Sequence, residues 1–265
     1  MEEHLWKHIQ HVKSKGPLVH NMTNYVVMNN TANALLAVGA SPLMAHAKSE
    51  VSDMVALADA SVINIGTLDE YWSEAMLLAA KTAQTLGKPW VLDPVGAGAS
   101  PFRDKILRKL LDFNPTVIKG NASEIMALAQ ANQETTKGVD STAESNEAID
   151  AAIALAKTYG ALICISGAED IITDTTQTVH IANGVPLMTK VTGMGCTASA
   201  LIGAFIGIVE NKVEAVAAAM TVLGIAGELA EKQSEGPATL QMHLIDKLYT
   251  LSEKEYYHYL KLSRS

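Results

Sequence analysis

The sequence predicts an α/β fold in which a central, mostly parallel sheet is flanked by helices and followed by a helical C-terminal part. Three observations carry that expectation. Short apolar runs rich in β-branched residues recur up to residue 166, each short enough for a strand buried on both faces. Helix-length segments separate them, and strand–helix alternation is the pattern of βα units in a parallel sheet. From residue 196 onward the pattern is almost entirely helical.

In chain order, the expected strands are "PLVHN" (17–21), "SPLMA" (41–45), "SVINIG" (61–66), "PWVLD" (89–93), "TVIKG" (116–120) and "ALICIS" (161–166). Helical segments lie at 25–38, 49–59, 70–87, 103–112, 122–131 and 145–159. The polar stretch 131–148 reads as a surface loop rather than a domain boundary, because the alternation resumes after it. "IITDTTQTVHIANG" (171–184) breaks the pattern and reads as an antiparallel hairpin at the sheet edge. One domain spanning 1–265 is therefore expected, a length that sustains a single substantial core.

Composition narrows the function classes. Hydrophobic residues make up 48% of the chain, so it is globular, while aromatics are only 5% and many apolar positions are alanine. Small side chains suit tight helix-on-sheet packing and subunit contacts. A net charge of −8 argues against nucleic acid as partner and leaves room only for a local cationic site. "MEEHLWKHIQ" is too acidic and polar for a signal peptide. The apolar runs 197–209 and 213–230 are too short for a membrane span or carry Glu214 and Glu228. The two cysteines, Cys164 and Cys196, form neither a metal spacing nor a disulfide framework, which points to a reducing cytoplasm.

In an open parallel sheet, ligands bind beyond the carboxyl ends of the strands. The sequence places there Asn21 and Asn24, Met44, Gly66 and Thr67, Asp93, 119–124 and 166–170. Asp93 ends a strand ahead of "PVGAG"; it is either a turn acid or a carboxylate offered to a ligand or cation. "NASE" (121–124) has the form of a capping box, yet Glu124 together with Asp93 would also suit hydrated Mg²⁺, which takes one or two carboxylates. Lys119 lies just before that helix start, where an anion is favoured. In "VTGMGCTASALIGAF" (191–205), Gly193 and Gly195 let backbone N–H groups converge, and a helix from Cys196 adds its positive end, roughly half a charge. A cationic lysine, an acid pair and a glycine-rich helix start are the parts that phosphoryl transfer needs. "GMGCTA" also fits the dinucleotide pattern, but it comes late in the chain and no strand-end acid follows it; the P-loop pattern is absent.

Four blocks then resemble the hydroxyethylthiazole kinase family, in the family's order: "LVHNMTNYVVMNNTANALLAVGASPLMAHA", "VLDPVGAGASPFR", "VIKGNASEI" and "VTGMGCTASALIGAF". The similarity runs from about residue 17 to 232. It implies a ribokinase-like fold, transfer of the ATP γ-phosphate to the primary alcohol of 4-methyl-5-(2-hydroxyethyl)thiazole with Mg²⁺, and a homotrimer with sites near subunit contacts. By the same resemblance Met44 lines the thiazole pocket and Gly193 lies beside the alcohol. Lys119 and Ser166 contact ATP, and Asp93 and Glu124 serve the magnesium and phosphates. Asn24 and Thr67 join the pocket from their strand-end positions. Lys119 stands where the family commonly has arginine, and Met194 where a smaller residue is common. Cys196 takes the place of the aspartate base of related sugar kinases; it is expected to orient the alcohol and assist modestly, the alternative being a small cysteine that only packs. Two other functions stay open: a kinase for another heteroaromatic alcohol, and a nucleotide-binding sensor without catalysis.

Overall fold

The computed structural model describes residues 1–130 and 144–265. Residues 131–143 of the polar stretch expected to be a surface loop lie outside them. The elements in order are α1 (Glu2–Lys15), β1 (Leu18–Met22), α2 (Met28–Ala37), β2 (Ser41–Leu43), α3 (Val51–Leu57), β3 (Ala60–Asn64), α4 (Glu70–Leu86), β4 (Trp90–Asp93), α5 (Pro101–Leu111), β5 (Val117–Asn121), α6 (Ala122–Gln130), α7 (Glu144–Tyr159) and β6 (Leu162–Ser166). There follow β7 (Asp170–Thr173), β8 (Thr178–Ile181), a 3₁₀ turn at Pro186–Lys190, α8 (Met194–Ile208), α9 (Lys212–Glu231), α10 (Pro237–Thr250), α11 (Glu253–Tyr259) and β9 (Leu262–Arg264).

The strands form one sheet in the order β2-β1-β3-β4-β5-β6-β7-β8-β9. Pairings from β2 to β6 are parallel; those from β6 to β9 are antiparallel. Alternation along each strand divides the core between two faces. Val19, Val62, Val91 and Val117 join α1, α2, α8, α9 and α10 on one face. Ile63, Leu92, Ile118 and Ile163 join α3 to α7 on the other. The fold is ribokinase-like: a mostly parallel sheet between helical layers.

All six expected parallel strands are present, with three corrections. β2 is a three-residue edge strand whose residues are exposed or half-buried, not a strand buried on both faces. Pro42, which has no N–H to donate, suits an edge. The β7–β8 hairpin is not the sheet edge, because β9 pairs with β8 and covers it. The part after residue 196 is helical apart from β9, as expected. The N-terminal segment, in turn, is helical: α1 buries Leu5, Trp6, Ile9 and Val12 on one stripe and ends at Gly16 in the left-handed conformation.

Among the described residues, α9 is the one helix long and apolar enough to cross a membrane, and its apolar stretch is wholly buried within the fold. Alanine and glycine let α8 and α9 be covered on nearly all sides, so neither presents a polar face.

Candidate active site

The two-residue period of the strands builds the site. Val62, Val91, Val117 and Leu162 face the α8 layer, and the same period puts Asn64, Asp93, Lys119 and Ser166 on that side at the strands' carboxyl ends. Asn64 and Asp93 are direct neighbours in the β3–β4 register. Helix α8 lies over them.

Asp93 is 2% exposed. Its Oδ2 accepts from Asn64 Nδ2 at 2.6 Å and from Ser199 Oγ at 2.8 Å, and among the described residues no donor reaches Oδ1. Burial pushes its pKa up to about 6, against the opposing pull of Lys119 and the Ser199 and Asn64 bonds; Glu124 adds to the rise. Lys119 is buried and donates from Nζ to the Gly195 carbonyl at 3.1 Å. Glu124 is the capping-box residue its spacing suggests. Its Oε2 accepts from Asn121 N–H at 2.9 Å while Asn121 Oδ1 accepts from Glu124 N–H at 2.9 Å. Its other oxygen, Oε1, accepts from Gly96 N–H at 3.0 Å and thereby ties the "PVGAG" turn to α6.

The glycine loop differs from expectation in detail. α8 begins at Met194, two residues before Cys196, with Gly193 as its N-cap. Gly193 has φ 78°, and a Cβ there would lie 2.2 Å from Val27 Cγ1, so the position admits only glycine. Gly195 is not left-handed; its missing side chain instead makes room for Lys119, whose Nζ would sit 3.0 Å from a Cβ. Gly193 supplies no capping side chain, and among the described residues the N–H groups of Met194, Gly195 and Cys196 have no partner. Three donors and the positive helix end therefore remain for an anion. The loop is braced from behind: Gly193 O accepts from Thr197 N–H and Oγ1, and Asn30 donates to Thr197 Oγ1 at 2.8 Å.

Lys119, Gly193, Met194 and Gly195 line a cavity of about 730 Å³ together with Ser166 and Asp170, walled by Asn183, Met188 and Leu223; Asp93, Glu124 and Cys196 lie outside its lining. A second cavity of about 840 Å³ opens at the amino ends of β5 and β6, beside Thr116, Gly160 and Lys212, away from the polar row. Cys196 is half-buried. Burial and the Asp93 charge push its thiol up, opposed by the nearby amides of Asn64 and Asn24 and by the Lys119 charge. Both causes shift the group away from the thiolate, and the helix end does not reverse that direction.

Asn24 reaches Cys196 Sγ with Nδ2 at 3.4 Å. Thr67 Oγ1 accepts from Tyr25 N–H at 3.1 Å and so joins the same loop. Ser166 sits across the cavity and donates to Gly120 O at 3.4 Å. Met44 is half-buried just after β2; among the described residues no hydrogen-bonded chain links it to the other site residues. Three residues outside the sequence-based set prove central. Asn64 and Ser199 hold Asp93. Arg103 donates to Ile65 O at 2.5 Å, Val95 O at 2.9 Å and Gly66 O at 2.9 Å, clamping the loops after β3 and β4 together. A polar residue inside an apolar strand was the one local signal for Asn64; Ser199 and Arg103 read as ordinary helix residues.

The residues suit a magnesium ion. No group of three or more His, Cys, Asp or Glu side chains with metal-ligand geometry occurs among the described residues, but magnesium needs only one or two carboxylates beside water and phosphate. Asp93 Oδ1 is open, and each Glu124 oxygen keeps a lone pair beyond its single backbone donor.

The hydroxyethylthiazole kinase family profile matches residues 9–254. A hydroxyethylthiazole kinase of Leptospira biflexa serovar Patoc (strain Patoc 1 / Ames) is 52% identical over 257 residues, covering 95% of this chain and 96% of the relative. The solved hydroxyethylthiazole kinase of Pyrococcus horikoshii OT3 superposes with a TM-score of 0.92 at 40% identity over 99% of both chains. Pyridoxal kinase from Staphylococcus aureus, solved with pyridoxal, has a TM-score of 0.66 at 15% identity over 94% of this chain and 97% of its own, a likeness of fold alone. The chain belongs to the hydroxyethylthiazole kinase family.

Proposed function

We propose that this chain transfers the γ-phosphoryl group of ATP to the primary alcohol of 4-methyl-5-(2-hydroxyethyl)thiazole, a step of thiamine biosynthesis and salvage. The observation that carries the reading is the start of α8: three N–H groups without a partner among the described residues and the buried Lys119 at one end of a cavity, in a chain matched along 9–254 by the family. Lys119 and Ser166 hold ATP in this reading. Gly193, Gly195 and the α8 amides form the cradle for the phosphoryl group as its charge spreads over the equatorial oxygens. Asp93 and Glu124 would hold Mg²⁺, which neutralises phosphate charge when bound.

The alcohol attacks in line; its O–P bond forms as the bond to ADP breaks, and its proton leaves late, to an oxygen of the transferred phosphoryl group. A loose transition state asks little of a base. Cys196, as a neutral thiol, orients the alcohol, and the rate comes from positioning and charge stabilisation. Asn24, Thr67 and Met44 make the thiazole side of the pocket. Met44 lies beside the edge strand, and Tyr25 and Val26 are 58% and 64% exposed. Those positions support a homotrimer whose sites sit near subunit contacts; the whole chain acts as one kinase domain, and its two free thiols fit the cytoplasm.

ADP release with a panel of hydroxyethyl and hydroxymethyl heterocycles tests the activity. The thiazole alcohol is expected to be phosphorylated in preference to pyridoxine- and pyrimidine-type alcohols. ATP binding with no alcohol phosphorylated would favour the sensor reading. Sedimentation at several concentrations tests the trimer, and a persistent monomer would overturn it.

A further inference from the structure

Asn64 is 1% exposed and every polar atom of its amide is committed. Its orientation is fixed from two sides. The Asp93 carboxylate only accepts, so the NH₂ group must face it, at 2.6 Å. Gly66 N–H only donates, so Oδ1 must face that group, at 2.9 Å. Oδ1 then accepts a second bond, from Asn24 Nδ2 at 3.0 Å. Asn24 is fixed in the same manner: its own Oδ1 takes Val26 N–H at 3.1 Å, which leaves its NH₂ to span Asn64 and Cys196 Sγ, the latter at 3.4 Å. Gly66 is required for this packing, because a Cβ there would lie 2.7 Å from Asn24 Nδ2.

We propose that Asn64 is the positioning residue of the phosphoryl-transfer centre: it couples the Asp93 carboxylate to the Asn24 amide and so holds an N–H donor on the Cys196 sulfur. The two sides of the reaction, the carboxylate that faces the phosphates and the thiol that faces the alcohol, are then aligned by one chain of side-chain hydrogen bonds. The sulfur accepts on its inner side, and its remaining lone pair and S–H are directed to the alcohol. The proposal rests on the reading of Asp93 and Cys196 as facing the reacting groups.

The test compares Asn64→Leu, Asn24→Ala and the double variant in two measurements. In turnover, Asn64→Leu is expected to lower kcat about 100-fold, through Asp93 as well as Cys196, and Asn24→Ala up to about tenfold, each with KM for ATP changed less than threefold, and the double variant to be no worse than Asn64→Leu. In alkylation of Cys196 by iodoacetamide at one fixed pH, without ATP or alcohol, both single variants and the double are expected to show the same slowing, about tenfold. Cys164, fully buried and pushed up by burial, does not compete for the reagent. Should Asn64→Leu not fold, as a thermal melt would show, Asn64→Ser removes the amide without adding apolar bulk and is read in the same way. Effects that multiply in the double variant, or wild-type alkylation in the Asn64 variant, would overturn the proposal. A wild-type enzyme inert towards the thiazole alcohol would instead overturn the functional reading, and the alkylation comparison would still decide the coupling.

Discussion

Asp93 and Glu228 are both buried carboxylates, 2% and 7% exposed, one in the parallel half of the sheet and one behind the antiparallel half. Their partners differ. Glu228 Oε1 alone accepts from Asn183 Nδ2 at 2.9 Å, Gly184 N–H at 3.0 Å and the Lys261 ammonium at 3.0 Å. Asn183 in turn donates to Tyr259 O and accepts from Lys261 N–H, so the C-terminal strand is fastened to the turn that walls the cavity. Asp93 has two neutral donors on one oxygen and an open second oxygen, and burial raises its pKa to about 6. Each carboxylate uses one oxygen, but Glu228 meets three donors, one of them a cation, and holds structure together. A carboxylate left underpaired in a dry site carries a cost that a ligand relieves, and such groups concentrate at functional sites.

The comparison breaks first at Asp93. Asp93→Asn is expected to reduce kcat at least about 10³-fold while the fold survives, because the carboxylate for the cation is gone. The same variant should be more stable than wild type at neutral pH by on the order of 1–3 kcal/mol, since the buried charge no longer has to be ionised. Normal turnover, or a clear loss of stability, would remove Asp93 from the mechanism.

The pH dependence follows from the same group. Its folded pKa of about 6 lies above the ordinary 3.8, so the native state binds the proton more tightly. The contribution to stability is full below pH 4 and is lost as pH rises through 6. In EDTA, the melting-temperature gap between Asp93→Asn and wild type should therefore widen from pH 4 to 7 and then level off. Added magnesium should narrow it by binding the ionised carboxylate.

On the Asp93 side, Gly193→Ala meets both a left-handed backbone and the Val27 side chain. A kcat loss of about 100-fold with about 1–3 kcal/mol of destabilisation is expected from steady-state kinetics and chemical unfolding. On the other side, Glu228→Ala strands the Asn183 and Gly184 donors. It should cost about 2–3 kcal/mol of stability and raise KM for ATP several-fold, with kcat at saturating ATP within threefold of wild type. A kcat collapse without a stability change would erase the distinction between the two carboxylates. The smallest effect is expected for Cys196→Ser, which should retain kcat within about tenfold, because a neutral thiol that orients the alcohol is replaceable by a hydroxyl. Complete loss in a folded protein would make the thiol essential.

Much of this was legible in the sequence. The six parallel strands follow from apolar runs bounded by turn residues, and the strand-end row from the rule that ligands gather at carboxyl ends. β9 was not legible: Leu262–Arg264 is short and polar and becomes a strand only because β8 offers it an unpaired edge. α1 was hidden by its charge, since its buried stripe of four apolar residues alternates with His and Lys. Glu124 showed both of its readings at once, because a capping box leaves the carboxylate a lone pair for a cation.

The sequence by itself determined the element order, the glycines at the start of α8, the identities of Asp93, Lys119, Glu124 and Cys196, and the family. These are local: periodicity, capping and motif spacing act over a few residues. Tertiary structure alone decided that Asn64 sits beside Asp93, that Ser199 closes over it, and that Asn24 turns its NH₂ to the sulfur. Tertiary structure also decided that the Cys196 thiol is pushed up, by burial and the Asp93 charge. Register and burial set those outcomes, and both depend on which strands and helices meet, not on the residues next to them in the chain.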